Sequence, residues 1–275
     1  MAGLAIAAGQ GGKKSGVESD VAAAANTPAG ETPERPAPTQ HAPDTGRGMP
    51  AIEKAAQAKK YLFAFFWKDD DGQTAAMKRV FEAALAKVAD RADSVAVHVT
   101  EPAERKIVDK FQLDRAPMPL VLAMAPNGAI TGGFPKKCEE KDLLDAFATP
   151  GCERCMKALQ DKKLVFVCVQ NGKTQANEAA LKGVREFKAD ERFGEATEVV
   201  MLDPADAAEV TFLKDLKIDP KTSDAVTAFL VPPGAVIAEF KGATNKDDLA
   251  TALQKASANP CAGGSCGPGG CGPKR

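Results

Sequence analysis

The chain has 275 residues, with 36 Lys plus Arg against 37 Asp plus Glu, a formal charge of −1. That balance argues against a binder of nucleic acid or anionic membrane, which needs a basic excess, and 5% aromatic residues with one Trp and one Tyr argue against a base-stacking platform. Two histidines, His41 and His98, leave little room for His-rich metal centres, and no apolar run approaches the ~20 residues of a membrane span.

Residues 1–49 are rich in Ala, Gly and Pro and poor in bulky apolar side chains. Such a stretch cannot bury enough surface to offset its ordering entropy, so it is expected to be a disordered or leader-like segment. The opening MAGLAIAAGQ is similar to the end of an export signal, as if the start were truncated, or to an ordinary floppy N-terminus. The first reading points to an exported, bacterial-type periplasmic protein and the second to a cytoplasmic one.

From Pro50 the chain repeats itself. Lys54, Ala55, Gln57, Lys59, Lys60 and Phe63 each meet an identical residue 103 positions later, AAMKRV at 75–80 matches AALKGV at 179–184, and Asp142-Leu143 matches Asp248-Leu249. The order is kept with slippage of a few residues, which indicates a duplicated domain of about one hundred residues. Boundaries at 50–149 and 150–256 follow, with a flexible tail at 257–275.

Each copy reads α-β-α-β-α-β-β-α. In the first, a short helix at 51–59 leads to the apolar strand Tyr61–Trp67. A helix follows with Met77, Val80, Phe81, Ala84, Leu85 and Val88 at helical spacing. Ser94–Val99 is a strand, Ala103–Phe111 a helix, Leu120–Ala125 and Ala129–Phe134 a hairpin turning at Asn127-Gly128, and Glu139–Phe147 the closing helix. The second copy gives strand Leu164–Val169, helix Gln175–Phe187, strand Glu198–Leu202, helix Ala207–Leu216, hairpin strands Ala228–Val231 and Val236–Phe240, and helix Lys246–Lys255. Helices alternating with strands and ending in a hairpin predict a mixed α/β sheet covered on both faces.

The strand YLFAFFW running into a long helix, followed by FQLDRAPMPLVLAMAPNGAITGGF, resembles the thioredoxin-fold superfamily. Met118-Pro119 stands where that family has its cis-proline. The resemblance covers both copies and implies two tandem thioredoxin-like domains, each a mixed central sheet flanked by helices. It also implies protein partners, either as thiols and disulfides or as a bound polypeptide. The family motif, an aromatic residue followed by C-x-x-C at a helix N-terminus, is absent. Trp67 is followed by Asp71-Gly72-Gln73-Thr74, and neither Asp71 nor Thr74 can exchange disulfides. The second copy has Asn171–Asn177 there, again without cysteine, and Ala225 or Val226 near the position of Pro119.

The seven cysteines lie elsewhere. Cys168 is in an apolar run and reads as a buried small hydrophobe. Cys138 sits in a loop beside Lys136 and Lys137, which could activate it. Cys152 and Cys155, in Gly-Cys-Glu-Arg-Cys, open the first helix of copy two, where the helix N-terminus and Arg154 would favour a thiolate. A relocated redox dithiol, a structural bridge and half of a metal site all suit that spacing. The tail carries Cys261, Cys266 and Cys271 among Gly and Pro. Three thiols on a tether could take Cu(I) or Zn, with Cys152 and Cys155 completing the sulfur set, or could pass a disulfide to and from the C-E-R-C.

Three functions therefore stand at this level: thiol–disulfide handling through Cys152 and Cys155 and the tail, polypeptide binding without catalysis, and soft-metal binding or delivery. Asn171-Gly172-Lys173-Thr174 lacks the earlier glycine of a phosphate loop, having Val167 in its place, and Lys68-Asp69-Asp70-Asp71-Gly72 lacks the closing Glu of a calcium loop. His98, on an alternating strand, reads as structural.

Overall fold

The computed structural model describes residues 46–258. The leader-like segment and Cys261, Cys266 and Cys271 lie outside the described residues. The first repeat runs α1 (Gly48–Gln57), β1 (Tyr61–Trp67), α2 (Gly72–Ala86), β2 (Ala92–His98), α3 (Arg105–Phe111), β3 (Leu120–Met124), β4 (Ile130–Pro135) and α4 (Glu140–Leu144). The second runs α5 (Pro150–Gln160), β5 (Leu164–Val169), α6 (Asn177–Lys188), β6 (Thr197–Leu202), α7 (Val210–Asp215), β7 (Val226–Val231), β8 (Ala235–Lys241) and α8 (Lys246–Ala258).

Each repeat builds one four-stranded sheet, in the orders β2-β1-β3-β4 and β6-β5-β7-β8. β1 is parallel to β2 and antiparallel to β3, and β5 has the same relation to β6 and β7. The central strand is apolar throughout because successive side chains alternate between two covered faces. Phe63 and Phe65 join Met77, Phe81 and Leu143 on the α2–α4 face, while Leu62, Ala64 and Phe66 join Ala55, Ile107 and Val108 on the α1–α3 face. In the second repeat Phe166 and Cys168 face α6 and α8, and Val165, Val167 and Val169 face α5 and α7. Cys168 is accordingly a core residue, 1% exposed.

The duplication extends to irregularities of the backbone. Both hairpins carry a register shift at equivalent points, between Ala123 and Met124 and between Phe229 and Leu230. Left-handed residues recur in register at Lys59 and Lys162, Gln112 and Lys217, and Lys136 and Gly242. Sequence reasoning missed a second paired device. The buried Glu104 carboxylate accepts from the Arg47 and Gly48 amides at the start of α1 (2.6 and 3.0 Å), and the buried Glu209 carboxylate accepts from the Gly151 amide at the start of α5 (2.7 Å). In each repeat a carboxylate from the second crossover satisfies amides that the first turn of a helix leaves without partners. The signal was available as Ala-Glu at 103–104 and at 208–209.

Several expected helices are shorter than the sequence indicates. The closing helix of copy one ends at Leu144 instead of Phe147. Beyond it the Tyr61 hydroxyl accepts from the Ala148 amide (2.9 Å), and the Phe147 ring packs on Tyr61 and under Arg91, so the chain turns toward α5 instead of continuing the helix. The helix expected from Ala103 starts as a 3-10 turn at Pro102–Glu104, and the helix expected from Ala207 starts likewise at Ala207–Glu209. In both, the glutamate that caps the neighbouring helix sits in that turn.

The two sheets meet through α5. Its outer face lies on the first repeat: the Tyr61 hydroxyl donates to Glu153 (2.6 Å), the Asn127 side-chain amide donates to the Glu153 carbonyl (2.9 Å), and Met156 packs on the core built by Tyr61 and Phe63. The Gln160 amide clamps the edge strand β4 by donating to the Ile130 carbonyl and accepting from the Ile130 amide (2.7 and 2.9 Å). No helix among the described residues is long and apolar enough to cross a membrane.

Candidate functional site

In the first repeat the carboxyl end of β1 delivers Trp67 beside the loop that opens α2. The antiparallel register pairs Phe66 with Leu120, which sets Trp67 opposite Pro119. The Met118–Pro119 bond is cis, as the resemblance implies. Trp67 packs edge-on against His98, with ring centroids 5.3 Å apart, and the Lys78 ammonium lies 5.9 Å from its ring centroid. His98 is held by both ring nitrogens, at 2.9 Å from the Lys68 carbonyl and 2.8 Å from the Thr100 hydroxyl. His98 therefore belongs to this surface, beyond the structural part the sequence assigned to it.

Asp71 caps α2 by accepting from the Thr74 amide (2.7 Å), and these hydrogen bonds hold its carboxyl below the usual carboxylate range. Gln73 donates to the Lys136 carbonyl (2.9 Å), and the Lys136 amide donates to the Pro119 carbonyl (2.6 Å), which ties the helix entrance to the proline loop. Trp67, Asp71, Thr74 and Pro119 are thus gathered at one end of the sheet. The position that would take the first thiol is filled by a carboxylate engaged in capping.

The second repeat closes the same position differently. Thr174 donates to Asn177 (2.7 Å), the Asn177 side-chain amide donates to the Asn171 carbonyl (2.7 Å), and the Asn171 side chain donates to Asp203 (2.7 Å). The segment before β7, where a proline would stand, instead forms an isolated parallel bridge between Asp224 and Gln175. The other cis bond, Pro232–Pro233, falls in the β7–β8 turn.

Cys152 and Cys155 lie in the first two turns of α5, at the carboxyl end of β6, where a substituent on Gly151 would meet Leu202. Cys152 is half-buried, and Cys155 is 1% exposed. The expectation that the helix N-terminus and Arg154 favour a thiolate is corrected by what surrounds them. The Thr149 hydroxyl accepts from the Cys152 amide (3.2 Å) and donates to Glu209 (2.5 Å), so the helix entrance is already neutralised by the Glu209 carboxylate. Arg154 turns away and donates to the Met201 carbonyl (3.2 Å). Burial, followed by Asp215, Glu209 and Glu153, pushes the Cys152 thiol up to about 11. Burial, with Cys152 beside it, pushes Cys155 up to about 12. Glu153 is itself raised, first by burial.

Cys138 is corrected in the same direction. It is half-buried against the α2–α4 core, not an exposed loop thiol, and burial with Asp142 nearby pushes it up to about 11 in spite of Lys136 and Lys137. Among the described residues no group of three or more His, Cys, Asp or Glu side chains is assembled to hold a metal. The tail thiols proposed for Cu(I) or Zn lie outside those residues.

No family model matches the chain, and no curated protein matches it. Solved structures similar to it include the first two thioredoxin domains of Eps1p from Saccharomyces cerevisiae (10% identity, 81% of this chain and 99% of that one, TM-score 0.27). A Drosophila melanogaster thioredoxin, Deadhead, is 16% identical over 35% of this chain and 89% of its own (TM-score 0.29). Human ERp44 in a zinc-bound form is 11% identical over 74% of this chain and 58% of its own (TM-score 0.33). The strand order, the mixed pairing and the helices on both faces of each sheet decide the fold. The fold is thioredoxin-like, twice over. The fold leaves the activity to be argued from the site.

Proposed function

We propose that this protein is a thioredoxin-fold polypeptide binder that does not turn over disulfides at either standard position. One observation carries this reading. Neither helix entrance carries a thiol: at the first the Asp71 carboxylate caps α2, and at the second Thr174, Asn177 and Asn171 tie the loop before α6 to itself, while the Trp67–Pro119 surface beside the first is kept. With thiols at about 11 and 12, less than about one Cys152 in a thousand is thiolate at neutral pH, and the thiolate is the species that attacks. Trp67, with His98 at its edge and the Lys78 ammonium near its ring, offers a partner an aromatic platform bordered by a cation and by backbone groups.

Titration with an unfolded polypeptide, reduced and carboxymethylated α-lactalbumin, tests the reading. Saturable binding weakened about tenfold by Trp67→Ala is expected, in line with an aromatic anchor at the centre of an interface. Equal binding by the variant, or none by either protein, overturns it.

A second reading, thiol–disulfide handling through Cys152 and Cys155, is favoured by one feature. The outer thiol is half-exposed and the inner one is buried, so the first can attack a substrate disulfide and the second can resolve the mixed disulfide. The substrate then leaves as two thiols and the pair is left as a disulfide, which two of the tail thiols Cys261, Cys266 and Cys271 could reduce in turn by becoming a disulfide themselves. The elevated thiols make that route slow.

A further inference from the structure

The surface of the first repeat that α5 covers has a counterpart on the second repeat that nothing among the described residues covers. Equivalent residues have different burial. Tyr61, Ala125, Ala129 and Ala146 are 7%, 5%, 0% and 6% exposed, whereas Leu164, Val231, Ala235 and Ala252 are each half-exposed. Val236, the counterpart of the clamped Ile130, is 43% exposed. Together with Leu253, the counterpart of Phe147, these residues line a groove of about 850 Å³ between the edge strand β8 and α8. The groove is the continuation, one repeat further along, of the interface between α5 and the first domain.

That interface says what the groove takes. On the first repeat the occupant is an amphipathic helix that sets one apolar side chain, Met156, on the aromatic core and one glutamine, four residues later, on the strand edge. Such i, i+4 residues share a helix face. The β8 edge offers the same unpaired backbone groups at Val236, and the floor of the groove is more apolar, with Leu164 in place of Tyr61. We infer that the β8–α8 groove is a docking site for a helix of another polypeptide that presents an apolar side chain and, four residues on, a glutamine. A second copy of this chain is a poorer occupant. Its α1 keeps the exposed glutamine, Gln57, but carries Glu53 where α5 has Met156, and a carboxylate on that apolar floor would lose its hydration.

The site is separate from the Trp67–Pro119 surface, and its test does not depend on that reading. The probe is a synthetic peptide of residues 149–162 with both cysteines replaced by serine, titrated into the full chain and followed by two-dimensional amide NMR. Isolated helices of this length are marginal in water, so a dissociation constant of about 0.1–1 mM is expected. The accompanying shift changes should be centred on Val236 and Leu253. A peptide with Met156→Glu and Gln160→Ala, and a full chain with Val236→Asp, should each bind at least tenfold more weakly, the variant chain retaining the wild-type amide spectrum elsewhere. No saturable shifts at millimolar peptide, equal binding of the two peptides, or shifts confined to the first repeat would overturn the inference. So would self-association of the unliganded chain that is removed by Gln57→Ala, which would make the groove an interface between copies.

Discussion

Glu209 joins the stability of α5 to the chemistry of Cys152, so replacing it should change both in a way no other residue does. Its carboxylate accepts from the Gly151 amide at 2.7 Å and the Thr149 hydroxyl at 2.5 Å, and it is 4% exposed. Hydrogen bonds to a charged partner contribute about 1.5–3 kcal/mol each, so Glu209→Ala, which breaks both and strands a buried N–H, should cost about 3–5 kcal/mol. Glu209→Gln keeps an acceptor and should cost about 1–3 kcal/mol. Glutamine also removes one of the negative charges that hold the Cys152 thiol up, so its midpoint should fall below about 11. Each tenfold gain in thiolate corresponds to about 1.4 kcal/mol. The assay is alkylation of Cys152 by iodoacetamide across pH, quantified by mass spectrometry of its peptide, beside urea unfolding. Glu104→Gln is the internal control: it removes the same kind of cap from α1, with bonds of 2.6 and 3.0 Å, and does not appear among the groups acting on Cys152. Comparable destabilisation by both variants with a lowered alkylation midpoint only in Glu209→Gln is expected. An unchanged midpoint in Glu209→Gln, or an equal fall in both variants, would refute the electrostatic account of this thiol.

Other outcomes follow from the same contacts. Tyr61→Phe removes the hydroxyl that bridges Glu153 and Ala148 and should lower stability by about 0.5–1.5 kcal/mol in urea unfolding, because a hydrogen bond between half-buried groups is lost; a change under a few tenths would show that the bridge contributes little. Cys155 and Cys168 are held neutral, with folded values of about 12 and 11 above the ordinary value of 9.0. Their contribution is therefore complete below about pH 9 and is lost as pH rises toward 11–12, by at most about 1.4 kcal/mol per pH step for each thiol. Urea midpoints from pH 8 to 11 should fall, and less so in Cys155→Ala; an identical decline in the variant would count against this. Replacing Asp71 and Thr74 together by cysteine should create disulfide reductase activity in the presence of a dithiol reductant, if only the chemistry has been lost from that helix entrance. A folded double variant without activity would mean that the surrounding surface has also been altered.

Much of the fold was readable because the duplication gives two samples of one pattern. The apolar strand Tyr61–Trp67 and its counterpart Leu164–Val169 are where the sequence places them, since a strand covered on both faces leaves an uninterrupted apolar run. Helix ends were less readable. Phe147 looks like a continuation of the amphipathic face of α4, and only the contact with Tyr61, far away in sequence, explains why the helix stops before it. The place of Asp71–Thr74 at the entrance of α2 was legible from the apolar strand before it, whereas the electrostatics of Cys152 was not legible from its neighbours in sequence. Local sequence shows Arg154 next to the thiol, but the carboxylates that decide its proton affinity, Glu209 and Asp215, come from a crossover about sixty residues later. The groove between β8 and α8 was invisible for the same reason, because α5 covers the equivalent surface from the next repeat.

Reduction of the insulin disulfides by dithiothreitol, with and without the protein, tests the central claim most directly. Wild-type protein should show no turnover above the uncatalysed rate between pH 6 and 8, and Cys152→Ser should be indistinguishable from it. Turnover by the wild type that disappears in Cys152→Ser would contradict the account and establish the relocated dithiol as the active site.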